Sequence, residues 1–340
     1  MSDEPVRGRL LRPTRPTGLM AAPSRATSHL ILVYRPGWQS IDDLVAIARH
    51  VREIEPSMRT FILPGTIRNS VSRRAAALQP SLIVSPAPLS VFRPVRGTVY
   101  QGAIMAKLEQ LRRLDAGGVA VPRTAVLSPG LKLDPAEWGE FVVLKPVDLR
   151  SSSFGDGIQL KPTHRVRYLA PEEYPEKHPG RRAPMLVQQF INTGERLTLY
   201  RVLTLFGEPL YCQLMQSREP RVDLAAPIAA IEAAAIANQA VDEDEFFVDE
   251  PDVLAIARAA HAAIPEVPLK GIDILREHAT GRLYVLEVNP GGNTWHFSSR
   301  FLADQRRESG PEFERQRHRQ FDAFRTAART LVERTRREAR

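Results

Sequence analysis

The most informative segment of the chain is Leu269-Lys-Gly-Ile-Asp-Ile-Leu-Arg-Glu-His-Ala-Thr-Gly-Arg-Leu-Tyr-Val-Leu-Glu-Val-Asn-Pro290. It predicts a β-hairpin whose turn is centred near residue 280. Glu287 and Asn289 are two positions apart on the second strand, so their side chains share a face. On that face Asp273 is expected opposite Glu287, with the two Cβ atoms roughly 4.5–5.5 Å apart.

Two carboxylates this close repel each other unless a cation or a proton lies between them. Two carboxylates and a carboxamide oxygen are ligands that a hard cation such as Mg²⁺ prefers, with phosphates and water completing the shell. The alternative is an acidic sheet face exposed to solvent. The other face is apolar, and an abrupt turn is predicted after Pro290. The pattern therefore favours a Mg²⁺ (or Mn²⁺) site formed by Asp273, Glu287 and Asn289. The residues expected to bury the opposite face are Ile272, Ile274, Leu286 and Val288.

Lysines are scarce in this chain, which makes their positions informative. The six are Lys107, Lys132, Lys145, Lys161, Lys177 and Lys270. Lys145 ends the apolar run Phe141–Lys145, and a lysine at the end of a strand can reach into a cleft as a compact cation for phosphate oxygens. Lys107 lies in a predicted helix over 101–114, where a solvated position and a phosphate contact remain equally open.

Between the predicted strands 141–146 and 157–160 lies a turn of small residues. Successive backbone N–H groups in such a turn can wrap a phosphate, although serine and glycine also occur in any exposed turn. The candidate phosphate-binding residues of this turn are Ser151, Ser152, Ser153, Gly155 and Gly157. The chain has no Gly-x-x-x-x-Gly-Lys-Ser/Thr motif, which disfavours a P-loop enzyme.

The segment Met185–Glu195 predicts a strand that runs into a polar bend. Its backbone at Gln188, Gln189 and Ile191 could pair with the edge of an adenine, and Glu195 could accept hydrogen bonds from ribose hydroxyls. An ordinary strand and turn would have the same pattern. Further strands are expected over 197–205 and 208–215, and a helix over 251–263.

The ends of the chain differ from its centre. Residues 1–27 are rich in Pro, Arg, Ser and Thr and predict a disordered leader. Strand, helix, strand and strand patterns over 28–98 predict a small α/β domain. Residues 99–304 form the next predicted domain, and 305–340 predict one basic helix with an apolar face. That face carries Phe321, Phe324, Ala328 and Leu331.

Composition excludes several classes of protein. Hydrophobic residues make up 43% and charged residues 25%, as in ordinary soluble domains. No apolar run reaches the roughly 18–20 residues of a membrane span, and no signal pattern opens the chain, so a cytoplasmic protein is expected. The single Cys212 excludes an intramolecular disulfide framework. The net charge of +8 comes with arginine-rich ends and no nucleic-acid-binding motif, so nucleic acid is disfavoured as a partner.

Taken in order, these segments resemble the ATP-grasp superfamily over about residues 100–304. That resemblance rests on the helix lysine, the strand-end lysine, the small-residue lid, the hinge with its glutamate and the Asp…Glu-x-Asn hairpin. It implies an α/β (α+β) chain in which a two-lobed domain of antiparallel sheets holds Mg-ATP. The implied ATP-binding residues are Lys107, Lys145, Ser151, Ser152, Ser153, Gly155, Gly157, Gln188, Gln189, Ile191 and Glu195, and the implied metal ligands are Asp273, Glu287 and Asn289.

The resemblance also implies a reaction. Ligases of this superfamily phosphorylate a carboxylate of a small molecule or peptide, and an amine or thiol then attacks the acyl phosphate. Arg201 and Arg218 match positions where glutamate-adding ligases carry arginines that face phosphate or substrate, and a guanidinium fork suits a carboxylate. Gly271 stands where D-alanine ligases carry arginine, so a D-alanine dipeptide is not the expected product. A small-molecule kinase and a non-catalytic nucleotide- or nucleic-acid-binding protein are the alternatives, and a homo-oligomer is left open.

Overall fold

The computed structural model describes residues 28–66, 78–91, 96–147, 158–234 and 242–340. The predicted leader 1–27 and the small-residue turn Ser151–Gly157 lie outside the described residues. In chain order the strands are β1 His29–Tyr34, β2 Arg59–Pro64, β3 Ser81–Ser85, β4 Thr98–Gln101, β5 Thr124–Val126, β6 Phe141–Pro146, β7 Gln159–Pro162, β8 Met185–Gln189, β9 Thr198–Leu205, β10 Glu208–Ser217, β11 Glu243–Phe247, β12 Leu269–Arg276 and β13 Leu283–Asn289. The helices are α1 Ile41–Ile54, α2 Lys107–Ala116, α3 Pro135–Trp138, α4 Ile228–Ala233, α5 Pro251–Ala263, α6 Ala303–Arg319 and α7 Ala323–Glu338.

The first sheet is parallel and has the strand order β2-β1-β3-β4. Helix α1 follows β1, and the Ser40 hydroxyl caps it by accepting a hydrogen bond from the backbone N–H of Asp42. The helix predicted from Gln101 begins only at Lys107, because Gln101 ends β4. Gly102 allows this path: a Cβ there would lie 2.3 Å from the carbonyl oxygen of Pro86. The chain is therefore held extended between two backbone segments before the helix can start.

Two antiparallel sheets follow. The smaller one has the order β5-β8-β6-β7, which confirms the predicted pairing of β6 with β7. The larger one has the order β11-β10-β9-β12-β13. Its hydrophobic face packs beneath α5 and α2, with Ile272, Ile274 and Val288 fully buried. The fold class predicted from the sequence is thus confirmed, whereas the domain bounds 28–98, 99–304 and 305–340 remain predictions.

The β12–β13 hairpin pairs Asp273 with Glu287, as predicted. The register shifts immediately afterwards, between Asp273 and Ile274, so that Ile274 pairs with Val285. Such a bulge places two residues of one strand opposite one residue of the other and changes which face the following side chains occupy. Val285 is therefore fully buried, and Leu286 is only half-buried, contrary to the expectation that Leu286 would bury this face.

The C-terminal segment forms two helices in place of the predicted single one. The break lies at Asp322, whose φ of 46° is left-handed, and α6 has a second interruption at Gly310, with φ 80° before Pro311. Helix α7 packs against α1 and the first sheet, and its Ala328 and Leu331 are buried in that core. Within the described ranges, no helix is both long enough and apolar enough to cross a membrane.

Candidate active site

Asp273 lies at the centre of a polar row that crosses the larger sheet. It pairs with Glu287 of β13 on one side and with Arg201 of β9 on the other. The Arg201 guanidinium binds both carboxylate oxygens, with Nε–Oδ1 and Nη2–Oδ2 distances of 2.8 Å each. Asn289 Nδ2 donates to Asp273 Oδ2 over 3.3 Å. Burial disfavours the Arg201 charge, but the Asp273 carboxylate outweighs this effect and raises the pKa of Arg201.

Glu287 is engaged by a lysine that lies far away along the chain. Lys107, the first residue of α2, places Nζ 3.0 Å from Glu287 Oε2. The Lys107 side chain is 15% exposed, so it is not the freely solvated helix lysine that the sequence left open. The late start of α2 brings this lysine to the edge of the hairpin, because a start at Gln101 would have placed it in mid-helix.

Lys145 enters the same region from the smaller sheet. It is 5% exposed, and its Nζ donates to Gln188 Oε1 over 2.8 Å. Gln188 in turn donates from Nε2 to Thr124 Oγ1 over 2.8 Å, which orients the side-chain amide. Desolvation and, to a smaller extent, the charge of Lys107 lower the pKa of Lys145 to about 8, against the opposing effect of Glu287. Lys145, Lys107 and Glu287 therefore form one electrostatic cluster between the two antiparallel sheets.

Two ammonium groups in one partly buried cluster are unfavourable unless an anion joins them. Burial penalises each charge, and like charges penalise each other. The Lys145 ammonium is bonded to a neutral amide, and Lys107 has one carboxylate to share with it. A polyanion such as a triphosphate would relieve this imbalance, because its oxygens can accept from both ammonium groups. The cluster is thus suited to bind phosphates.

The residues beside this cluster fit a divalent cation in donor type. Within the described ranges, no three His, Cys, Asp or Glu side chains come together, so a metal here needs Asn289 beside the two carboxylates. A carboxylate offers about four lone-pair positions, of which Arg201 uses two on Asp273. The side-chain nitrogen of Asn289 faces Asp273, so the side-chain carbonyl oxygen of Asn289 remains available as a metal ligand. Three side chains that offer oxygen ligands on one sheet face suit Mg²⁺.

The predicted adenine hinge follows β8. The Gln189 backbone N–H donates to the Arg123 carbonyl over 2.8 Å, so this part of the segment is already paired. Ile191 is 4% exposed, and within the described ranges its backbone makes no backbone hydrogen bond. Buried backbone groups are rarely left unpaired, so Ile191 is a position at which an adenine edge could pair. Glu195 is exposed in the turn that follows.

The structure does not bring every candidate into the cluster. Arg218 lies at the end of β10 with its side chain 58% exposed, and its Nε donates to Asp244 over 2.8 Å. Within the described residues, Arg218 makes no hydrogen bond or ion pair with Asp273 or Glu287, so it is not part of the cluster. Arg221, which sequence reasoning missed, ties down the turn after the hinge by donating from Nε to the Gly194 carbonyl over 2.6 Å. Nothing in the spacing of these residues indicates that contact.

The loop after the hairpin lies directly on the sheet. A Cβ at Gly271 would lie 2.6 Å from Thr294 Cγ2, so glycine is needed there for this close approach. Trp295 is 2% exposed, and its Nε1 donates to Asp43 Oδ2 over 2.7 Å, which attaches the loop to α1. The glycine that departs from the D-alanine ligase pattern thus has a structural role in this chain.

Two antiparallel sheets flank a cluster to which the smaller sheet contributes a buried lysine and the larger sheet an acidic hairpin. The architecture is consistent with the ATP-grasp fold. The chain is similar to the solved structure of D-cycloserine synthetase DcsG, with 16% identity, 90% of this chain and 99% of that chain covered, and a TM-score of 0.47. It is also similar to ATP-grasp ligase PsnB complexed with minimal precursor, Mg and ADP, with 14% identity, coverage of 90% and 98%, and a TM-score of 0.47.

A third similar structure is D-alanine–D-alanine ligase from Bacillus anthracis, with 14% identity, 91% of this chain and 99% of that chain covered, and a TM-score of 0.41. No protein-family model matches the chain, and no curated protein matches it. Similarity at 14–16% sequence identity concerns the fold alone. Function is therefore inferred from the side chains of the cluster.

Proposed function

We propose that this protein is an ATP- and Mg²⁺-dependent ligase that activates a carboxylate as an acyl phosphate for attack by an amine or a thiol. The observation that carries the proposal is the convergence of Lys107, Lys145 and Glu287 from three separate elements. The Arg201–Asp273–Asn289 row lies immediately beside them. Side chains that can bind phosphate thus lie beside side chains that can bind a metal ion. Among the described residues, the cluster contains no nucleophile paired with a base.

Each residue of the cluster has a defined task in this proposal. Lys145 and Lys107 bind phosphate oxygens and neutralise their charge. When ATP binds, Lys107 exchanges its bond to Glu287 for a phosphate oxygen, which leaves the Glu287 carboxylate free to bind metal. Asp273, Glu287 and Asn289 would hold Mg²⁺, which would supply charge neutralisation for the phosphates.

The chemistry requires positioning more than a reactive side chain. A carboxylate oxygen of the substrate attacks the γ-phosphorus, and ADP leaves with the electron pair of the broken P–O bond. The nitrogen or sulfur of the acceptor then attacks the acyl carbon, phosphate leaves, and the acceptor loses its proton. Arg201, whose side chain is 23% exposed beside Asp273, orients the transferred phosphoryl group or the carboxylate. ATP as co-substrate is in keeping with a cytoplasmic location.

The test is ADP release from ATP and Mg²⁺ with pools of small carboxylates and peptides, combined with pools of amines and thiols. The Glu287→Gln variant removes the negative charge of one proposed metal ligand, and Glu208→Gln serves as the matched control because Glu208 is exposed at the start of β10. We expect pool-dependent ADP release from wild type and Glu208→Gln, with at least a hundredfold loss (~2.7 kcal/mol) in Glu287→Gln. Equal release by all three proteins with every pool would contradict the proposal.

A small-molecule kinase would also form ADP, and hydroxylamine separates the two reactions. An acyl phosphate reacts with hydroxylamine to give a hydroxamate, whereas a phosphate ester does not. With the active carboxylate and no acceptor, a ligase accumulates hydroxamate in proportion to ADP. A stable phosphorylated product without hydroxamate would establish the kinase instead.

A further inference from the structure

A second polar cluster lies next to Arg201 on the same face of the larger sheet. In the register, Tyr211 of β10 pairs with Leu203, and Gln213 pairs with Arg201. Tyr211 and Gln213 are two residues apart and share a face, so Tyr211 lies one row further along the face that carries Asp273. His296, from the loop after the hairpin, stacks on the Tyr211 ring at a centroid distance of 5.5 Å. Arg317 of α6 covers the same ring at 5.8 Å.

These side chains are deeply buried, yet several of their polar atoms are unpaired. The exposed fractions are 0% for Tyr211, 4% for His296 and 1% for Arg317. Across the described ranges, Tyr211 Oη, His296 Nδ1 and Arg317 Nε have no hydrogen-bond partner. The hydroxyls of Thr294 and Ser299, in the same loop as His296, are also without one. Buried polar groups are nearly always satisfied, so a cluster of unpaired ones indicates a place that receives a ligand atom or a water.

The chemistry of the unpaired atoms favours an acceptor. Arg317 Nε–H can only donate, and the Tyr211 and Thr294 hydroxyls are able to donate. A ligand group that pairs with any of these donors must therefore carry an acceptor atom. A carboxylate is such a group, and its charge strengthens each hydrogen bond that it accepts.

Three arginines surround the His296 ring. Burial, together with the charges of Arg201, Arg317 and Arg306, lowers the pKa of His296 well below its usual value, so the imidazole is neutral. Arg317 Nη1 is bonded to Glu314 over 2.6 Å, and Arg201 is bonded to Asp273. Arg306 donates to the backbone carbonyls of His296 and Ser299, and the carboxylates of Glu314 and Asp43 act on its charge. The neutral His296 ring therefore lies among three guanidinium groups, each of which has a carboxylate near it.

The carboxylates near Arg317 already have hydrogen-bond partners. Glu245 of β11 accepts from Gln213 Nε2 over 3.1 Å and also from Gln305 Nε2 of α6. It lies 4.0 Å from Arg317 Nη2. Glu314 and Glu245 thus lie at the two ends of the Arg317 guanidinium, and its Nε–H has no hydrogen-bond partner within the described ranges.

We infer that Tyr211, His296 and Arg317 form a subsite for a carboxylate of the substrate, one sheet row away from the Asp273 cluster. The inference rests on the proposed function only in naming that ligand as the substrate, and it specifies a substrate with an anchoring carboxylate in addition to the group that is activated. The competing outcome is a hydrated core in which water completes the same hydrogen bonds.

The test follows the Arg317 Nε–H signal by ¹⁵N NMR of arginine-labelled protein, with the signal assigned by its loss in Arg317→Lys. Acetate, succinate and glutarate are added singly, each against its neutral amide (acetamide, succinamide and glutaramide). Titration calorimetry of the same pairs provides a second readout on wild type and Tyr211→Phe. Phenylalanine keeps the ring that stacks on His296 and removes only the unpaired hydroxyl. Because neither ATP nor turnover is required, the result is independent of the ligase proposal.

We expect at least one carboxylate to shift the Arg317 signal in a saturable manner and its amide to leave it unchanged. Tyr211→Phe should weaken that binding about tenfold, the loss of one charge-assisted hydrogen bond. If no carboxylate shifts the signal and none binds in calorimetry, or if the amides act equally, the subsite is refuted and the cluster is a hydrated core. Carboxylate binding here, combined with equal ADP release by all three proteins in the pool assay, would contradict the ligase proposal and leave the subsite intact.

Discussion

Raising the pH from about 7 to about 9 should weaken ATP binding about tenfold, because Lys145 loses its proton in this range. Its ammonium is buried beside Lys107, and its pKa in the free protein is about 8, below the usual 10.5. Bound phosphate favours the charged form and returns the pKa toward its usual value. The free protein therefore carries the charge in about nine-tenths of molecules at pH 7 and in about one-tenth at pH 9. If only the charged form binds tightly, the dissociation constant rises by the ratio of these fractions.

The measurement is titration calorimetry of ATP binding across this pH range, in two buffers that differ in ionisation enthalpy. Near pH 8 binding should take up about half a proton per ATP. Lys145→Met should bind ATP weakly, with no proton uptake beyond that of ATP itself, and it thereby supplies the background. Lys161→Met is the matched control, because Lys161 lies on the neighbouring β7 and 3.9 Å from Glu232. A wild-type dissociation constant that stays level from pH 7 to 9, or a pH slope that Lys145→Met retains, would refute the reasoning.

Three further predictions concern stability. Arg201→Met should lower the free energy of unfolding by about 3–5 kcal/mol in urea titrations, because it leaves Asp273 charged, 6% exposed and without its bidentate partner. Lys270 is fully buried, and burial lowers its pKa to about 6, below the unfolded value. The unfolded chain therefore binds more protons than the folded chain between about pH 6 and 10. Wild-type stability should rise with pH across that range, and Lys270→Met should reduce the slope. Leu331→Ala should cost about 2–5 kcal/mol, read from chemical denaturation, because Leu331 lies in the core between α7 and the first sheet; a loss below about 1 kcal/mol would contradict that packing.

Short-range pattern was sufficient for the hairpin that carries the acidic residues. Side chains alternate strictly along a strand, and one turn near residue 280 sets the register, so Asp273 opposite Glu287 could be predicted and is confirmed. The same reasoning gave a wrong prediction for Leu286. The bulge after Asp273 buries Val285 and leaves Leu286 half-buried, because a bulge breaks the alternation and leaves no mark in the apolar pattern.

Helix boundaries show a second limit. The apolar spacing predicts a helix from Gln101, but residues 98–101 form strand β4, which pairs with β3. The Gly102 N–H then donates to Ser85, and the Ala103 N–H donates to Pro290. Backbone hydrogen bonds to distant segments thus outweigh local helix propensity. In the C-terminal segment, the left-handed Asp322 ends one helix and starts another at a place where the sequence shows no proline or glycine.

The residue types of the candidate site, their order and the pairing within one hairpin follow from local sequence, because they depend on neighbours along the chain. The contacts of Lys107 with Glu287 and of Arg201 with Asp273, and the position of Lys145 beside Lys107 and Glu287, follow from the packing of distant elements. The same packing brings Tyr211, His296 and Arg317 together. These contacts join residues from separate elements, and their energies depend on burial and on the charges of the other partners, which no local pattern records.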